Sequence, residues 1–186
     1  MLPKTWFAVI VSALVAGSAP VQAQTNSMAA APQAAALKVT STAFQDGGRI
    51  PIPYTCSGLN LSPPLAWTGA PARTETFALI CDDPDAGYKT FTHWVVYNIP
   101  KTAASLPEKV PTNLQLQNGT LQGYNDFKKI GYRGPCPPTG THRYYFKVYA
   151  LDNTLLLLGD IDRAKLEEAM KGHILAQGQL MGTFKR

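Results

Sequence analysis

The chain has 186 residues, 45% of them hydrophobic, with 17 Lys+Arg against 12 Asp+Glu and a formal net charge of +5 at pH 7. A surplus this small, with no charged block longer than a few residues, excludes the strongly basic face that nucleic-acid binding demands and mildly favours acidic partners. Length and hydrophobic share suit one domain with a real core, and no internal repeat is evident.

At the N-terminus, Lys4 precedes an apolar run from Trp6 to Gly17 and a small-residue exit at Val21-Gln22-Ala23. This is the pattern of a secretory signal peptide over residues 1–23. The run is too short to span a bilayer, so no integral membrane segment is expected after cleavage. No cysteine near the cut offers a lipid anchor, and the expected product is a soluble periplasmic or secreted protein. Removing 23 of the 186 residues leaves 163, and the loss of Lys4 lowers the net charge to +4. Residues 24–36, rich in Ala, Gln and Pro, read as a flexible leader, with the folded domain expected over 37–186.

The run Thr76-Phe77-Ala78-Leu79-Ile80-Cys81 ends in Asp82-Asp83-Pro84-Asp85, which reads as a buried strand that stops at a cluster of acids. Pro84 cannot donate to a ladder and biases Asp83 toward extended geometry, so Asp83 and Asp85 are expected to project the same way. Phe91 to Pro100 is β-branched and aromatic, with His93 near its start. A hairpin through residues 86–92 brings His93 near the acid pair.

Gly131 to Gly140 is punctuated by glycines and prolines, including Gly134-Pro135-Cys136-Pro137-Pro138, and specifies a loop of little conformational entropy. The residues that follow alternate. His142, Tyr144, Phe146, Val148 and Ala150 share one face of a strand, and Arg143, Tyr145, Lys147, Tyr149 and Leu151 share the other. Polar groups sit only at the turn end of the first face, as where a strand leaves a core and meets a cleft. A helix is expected over Arg163–Ala176, capped by Asp162, with Leu166, Ala169, Met170, His173 and Ile174 along one stripe and Glu167 four residues before Lys171.

These segments resemble the phosphatidylethanolamine-binding proteins, in particular the bacterial branch called Raf kinase inhibitor-like. The likeness rests on Ile52-Pro53-Tyr54-Thr55-Cys56-Ser57-Gly58 with Asn60, Ser62-Pro63-Pro64-Leu65 and Trp67, then Asp83-Pro84-Asp85-Ala86 and His93-Trp94-Val95-Val96. It continues through Gly134 to Pro138, His142-Arg143-Tyr144, Lys171-Gly172-His173 and Leu180-Met181-Gly182-Thr183, and spans roughly Leu37 to Arg186. The resemblance implies a mainly β fold, an antiparallel β-sandwich of a large and a smaller sheet, with a few peripheral helices including one near the C-terminus. It assigns Asp83, Asp85, His93, Pro137, Pro138, His142 and Tyr144 to a ligand-binding pocket for phosphate-like anions or phospholipid headgroups. Gly87 stands where the family often has proline, and Ser57 where the bacterial pattern usually has Asp.

Cys56, Cys81 and Cys136 permit one bond in an oxidising compartment. Cys81 reads as a buried free thiol in a core strand, and Cys56 and Cys136, both in turns, are the favoured pair beside the alternative of no disulfide. The acids and histidines would suit a divalent metal by type, but none of the usual short ligand motifs is present, and neither metal nor cofactor is expected. The preferred reading is a non-enzymatic protein that captures a small anionic group, the acids orienting and protonating the histidines, and that modulates a protein partner. One rival is a hydrolase with His93 or His142 as general base. Its weakness is the nucleophile, since Ser57 and Ser62 lie in a turn-rich segment, no Gly-x-Ser-x-Gly elbow occurs, and prolines flank Cys136. Another is an extracellular inhibitor of a protease or a signalling protein, and homodimerisation stays open.

Overall fold

In the computed structural model, which describes Met1 and residues 35–186, the strand Thr76–Asp83, apolar from Phe77 to Cys81, lies inside a six-stranded sheet. The chain divides into two units, Met1–Pro32 and Gln33–Arg186. The signal peptide expected over 1–23 and the leader up to residue 34 lie, Met1 apart, outside the described residues. In chain order the strands are β1 (Ala35–Ala36), β2 (Lys38–Thr40), β3 (Leu65–Thr68), β4 (Thr76–Asp83), β5 (Phe91–Pro100), β6 (Ser105–Leu106), β7 (Leu121–Gln122), β8 (Thr141–Leu151) and β9 (Ile174–Lys185). One α-helix among the described residues, α1 (Arg163–Met170), precedes β9, and a short 3₁₀ turn covers Ile52–Tyr54.

The large sheet runs β1-β9-β8-β4-β5-β7 and the small one β2-β3-β6. All pairings are antiparallel except β1 with β9. Every residue of β4 is buried, because both faces of the large sheet are covered. On one face, Phe77, Leu79, Trp94, Phe146 and Val148 meet Val39, Leu65 and Trp67 of the small sheet in a shared core. On the other, Ala78, Ile80 and Val95 pack with Leu155, Ile161, and Leu166 and Met170 of α1. This is the mainly β sandwich that the sequence led us to expect.

Four local expectations are corrected. The leader's last two residues, 35 and 36, form β1. The helix stops at Met170, six residues short of Ala176, because Gly172 takes a left-handed conformation and Ile174 and Ala176 belong to β9. A twelve-residue strand laddered to β8 along almost its whole length outcompetes another turn of helix. Asp162 does cap α1, its side chain accepting from the Lys165 N–H at 3.0 Å. Glu167 pairs with Arg163 rather than Lys171, which meets Glu168. His173 sits half-exposed in the turn after α1, donating from Nδ1 to Asp152 at 2.8 Å, instead of on a buried helical flank.

A disulfide joins Cys56 to Cys136 across 80 residues, while Cys81 is a buried free thiol whose ionisation burial pushes well up. Among the described residues no helix is long and apolar enough to cross a membrane.

Candidate functional site

Three strand ends and one stiff loop converge at one edge of the large sheet. β4 delivers Asp83, the start of β5 delivers His93, and the start of β8 delivers His142 and Tyr144 on one face, two residues apart. Opposite them runs the Gly/Pro loop, held by its backbone. The Arg133 N–H donates to the His93 carbonyl at 3.1 Å, the Gly134 N–H to Asn60 Oδ1 at 2.7 Å, and the Cys56 N–H to the Pro135 carbonyl at 3.1 Å. The Tyr132 hydroxyl adds a bond to the Tyr54 carbonyl at 2.8 Å. A Cβ on Gly134 would lie 2.3 Å from the Tyr54 oxygen, so only glycine lets the two backbones approach this closely. The Cys56–Cys136 bond clamps the same seam.

These elements line a half-open cavity of about 230 Å³. Asp83, His93, His142 and Tyr144 form its polar part, and Ala86, Phe91, Phe127, Cys136, Pro137 and Pro138 its apolar wall. Asp83 is 3% exposed, and its Oδ2 accepts from His142 Nδ1 at 2.8 Å while Oδ1 accepts the Asp85 N–H at 2.8 Å. The His93 ring lies edge-on to Phe91, Phe127 and Tyr144, with centroids 5.4, 5.5 and 5.2 Å away. His142 stacks along Tyr144 at 6.5 Å.

His93 differs from the orientation expected for it. Its Nδ1 donates to the Arg133 carbonyl at 2.6 Å, not to a carboxylate. Burial is the largest influence on the ring and lowers its pKa, outweighing that carbonyl and the charge of Asp83, so His93 is neutral where a solvated imidazole begins to charge. The Tyr144 hydroxyl is buried close to Asp83 and the Cys136 backbone, but forms no hydrogen bond of good geometry with either. Desolvation, and then the Asp83 charge, push its pKa far up, so it remains an O–H donor at any ordinary pH.

Asp85 also departs from expectation, for its carboxylate does not line the cavity. Oδ1 takes Arg143 Nη2 at 2.7 Å and Oδ2 takes Nε at 2.9 Å, in a bidentate pair on the opposite face of β8 from His142. Oδ2 also accepts the Arg143 N–H at 2.9 Å. Hydrogen bonds from Arg143 hold the Asp85 pKa down at about 2. The two acids diverge because Asp83 closes the strand and Asp85 lies in the turn beyond Pro84, within reach of the neighbouring strand's outward arginine. Asp85 thus anchors the pocket's lip, and Asp83 alone orients a histidine.

Sequence reasoning missed the aromatic collar. Phe91 stands two residues before His93, so strand alternation could have marked it. Phe127 sits in the turn after Asn125 and carries no signal of its own. Among the described residues, no group of three or more His, Cys, Asp and Glu side chains is arranged to hold a metal ion. A roomier cleft of about 500 Å³ near the start of α1 is lined by Lys89, Asp126, Lys128, Asp160, Arg163 and Lys165 among others, and includes none of the histidines.

The family model "Phosphatidylethanolamine-binding protein" matches residues 40–185. The UPF0098 protein of Methanothermobacter thermautotrophicus is 50% identical over 150 residues, which cover 81% of this chain and 99% of that relative. The crystal structure of CT736 from Chlamydia trachomatis, a putative PEBP homolog by its own description, is similar with a TM-score of 0.74 at 39% identity, over 81% of this chain and 98% of that one. Escherichia coli YbcL, described as a new member of the mammalian PEBP family, is similar with a TM-score of 0.72 at 32% identity, over 82% and 99%. With its sandwich, its pocket and these likenesses together, the chain belongs to the phosphatidylethanolamine-binding protein family.

Proposed function

We propose that the chain is an exported binding protein that holds a small phosphate-like anion or a phospholipid headgroup in the Asp83–His93–His142–Tyr144 pocket. The observation that carries this reading is a half-open cavity where the Tyr144 hydroxyl, near Asp83 and the Cys136 backbone but without a well-formed hydrogen bond to either, lies beside a histidine whose Nδ1 is already engaged by a carboxylate. A buried donor without a partner costs about 1–3 kcal/mol, a penalty that a guest oxygen relieves. Once protonated, His142 keeps its bond to Asp83 and turns Nε2 into a second donor toward the same guest. Pro137, Pro138, Phe91 and Phe127 give the half-open pocket an apolar wall, which lowers the local dielectric and strengthens each of these bonds.

A hydrolase working by covalent catalysis would need a side-chain nucleophile in the cavity. Ser62 is buried and its Oγ accepts the Val110 N–H at 2.9 Å, Ser57 is exposed and outside the lining, and the Cys136 sulfur is in the disulfide. Reversible capture is therefore the better reading of this arrangement.

Isothermal titration with inorganic phosphate and with glycerophosphoethanolamine, on the mature protein and on His142→Ala, tests the proposal. Saturable binding that the variant weakens at least about tenfold is the expected result, as loss of a charge-assisted hydrogen bond requires. Absence of heat with both compounds, or equal affinity in the variant, would overturn it.

A further inference from the structure

For an anion site, the pocket has an unusual inventory of polar groups. The Arg133 carbonyl facing His93 Nδ1 can only accept, so the ring's hydrogen sits on Nδ1 and a neutral His93 presents Nε2 as a bare acceptor. The same logic applies to His142, whose Nδ1 hydrogen is taken by Asp83 Oδ2. In its ionised form the Asp83 carboxylate only accepts. No lysine or arginine lines the cavity, and Arg143, the nearest cation along β8, is tied up by Asp85. The charges felt by His93 are those of Asp83 and Asp126, both acids. Among the lining side chains, with both rings neutral, Tyr144 alone donates, against two imidazole nitrogens and a carboxylate that accept.

Resting on the anion-capture reading, the geometry points to selection for an oxyanion that carries its own hydrogen-bond donor, and against anions of like shape and charge that carry none. A phosphomonoester monoanion fits. Its P–OH donates to His93 Nε2, while its other oxygens accept from Tyr144 and from protonated His142. A sulfate ester or a simple phosphodiester turns only lone pairs toward His93 Nε2, and leaves that buried acceptor without a donor from the guest. An ammonium beside a phosphodiester, as in an ethanolamine headgroup, supplies the missing donor from a second source. The shared chemistry is one negative group and one donor on the same small guest.

Titrations at a pH near 6, where a phosphomonoester keeps about half of its second proton, discriminate among these cases. The probes are methyl phosphate, methyl sulfate, dimethyl phosphate and glycerophosphoethanolamine. Methyl phosphate is expected to bind at least about tenfold more tightly than methyl sulfate and dimethyl phosphate, the worth of one charge-assisted hydrogen bond. Glycerophosphoethanolamine binding well above dimethyl phosphate assigns the donor to the ammonium as well. Methyl sulfate or dimethyl phosphate binding within about threefold of methyl phosphate overturns the donor requirement and leaves anion capture standing. No binding by any probe removes both. His93→Gln, which can place an amide N–H where the acceptor stood, is expected to narrow the phosphate-to-sulfate ratio, and an unchanged ratio in a folded variant counts against His93 as the discriminating acceptor. If that variant does not fold, the four-ligand comparison on the wild-type chain decides alone.

Discussion

Tyr144→Phe isolates the feature on which the binding reading rests. Tyr144 is 0% exposed, its ring is packed between His93 and His142, and its hydroxyl has no partner. Deleting the oxygen relieves the desolvation penalty of an unsatisfied buried hydroxyl, about 1–3 kcal/mol. The small void it leaves forfeits some dispersion contact, so a net stabilisation near the low end, about 1 kcal/mol, is expected. For a domain of this size that is a rise in Tm of roughly 2–4 °C without ligand. Phosphate affinity moves the other way, weakening about tenfold for the loss of one hydrogen bond to a charged group. Thermal unfolding of both proteins across a phosphate series reads the two effects together, with the variant starting higher and gaining less from ligand. A variant that melts lower than wild type and keeps the full phosphate-induced shift would refute the reasoning, because the hydroxyl would then serve the fold and not the guest.

The Cys56–Cys136 bond closes a loop spanning 80 residues. In the chain-entropy account, its removal as Cys56→Ala/Cys136→Ala is expected to cost about 4.5 kcal/mol, read from urea midpoints, and a loss below about 1 kcal/mol would contradict that account. His93 predicts an acid limb to stability. Its folded pKa lies below the value of about 6.5 that it recovers on unfolding, so the unfolded chain takes up the proton more readily. The His93 contribution is complete above pH 6.5 and declines as pH falls through that value; His93→Gln should flatten the urea midpoint between pH 7 and pH 5, and an identical slope in the variant would count against a buried neutral ring.

Much of this architecture could be read from residue order, and where it could not the causes are physical. β8 declared itself by strict alternation, and β4 by an apolar run with a hard stop, because each face's environment is uniform along the strand. β9 had no such signature. Its Gly178 and Gly182 look like breakers, yet a Cβ at Gly178 would lie 2.0 Å from the Leu37 carbonyl oxygen and one at Gly182 2.5 Å from Ile50 Cγ1. Those glycines answer contacts from remote segments that residue order does not display. The same missing information let a helical stripe run on through Ile174. In the pocket, Asp83, His93, His142, Tyr144 and the two prolines meet as the motifs suggested, whereas Asp85 and Phe127 were decided by neighbours, Arg143 for one and the ring of His93 for the other.

Asp82 and Asp83 meet different surroundings. They are consecutive on β4, so their side chains leave opposite faces of the sheet, and both are almost fully buried. Asp82 Oδ2 meets Lys147 Nζ at 2.8 Å and Arg163 Nη1 at 3.1 Å, two permanent cations that stitch β4 to β8 and α1. Asp83 instead receives one imidazole, one backbone N–H and no permanent cation, in a cavity that also holds an orphan hydroxyl. A buried carboxylate left short of compensation is costly to a fold that gains nothing from it. Asp82 shows the converse pattern, two basic groups on Oδ2 and a buried Oδ1 with no hydrogen-bond partner, whereas both Asp83 oxygens are bonded and what Asp83 lacks is a cation. That missing cation suits the proposed binding site, for which the rigid loop, the disulfide seam and the Asp85–Arg143 lip form the framework.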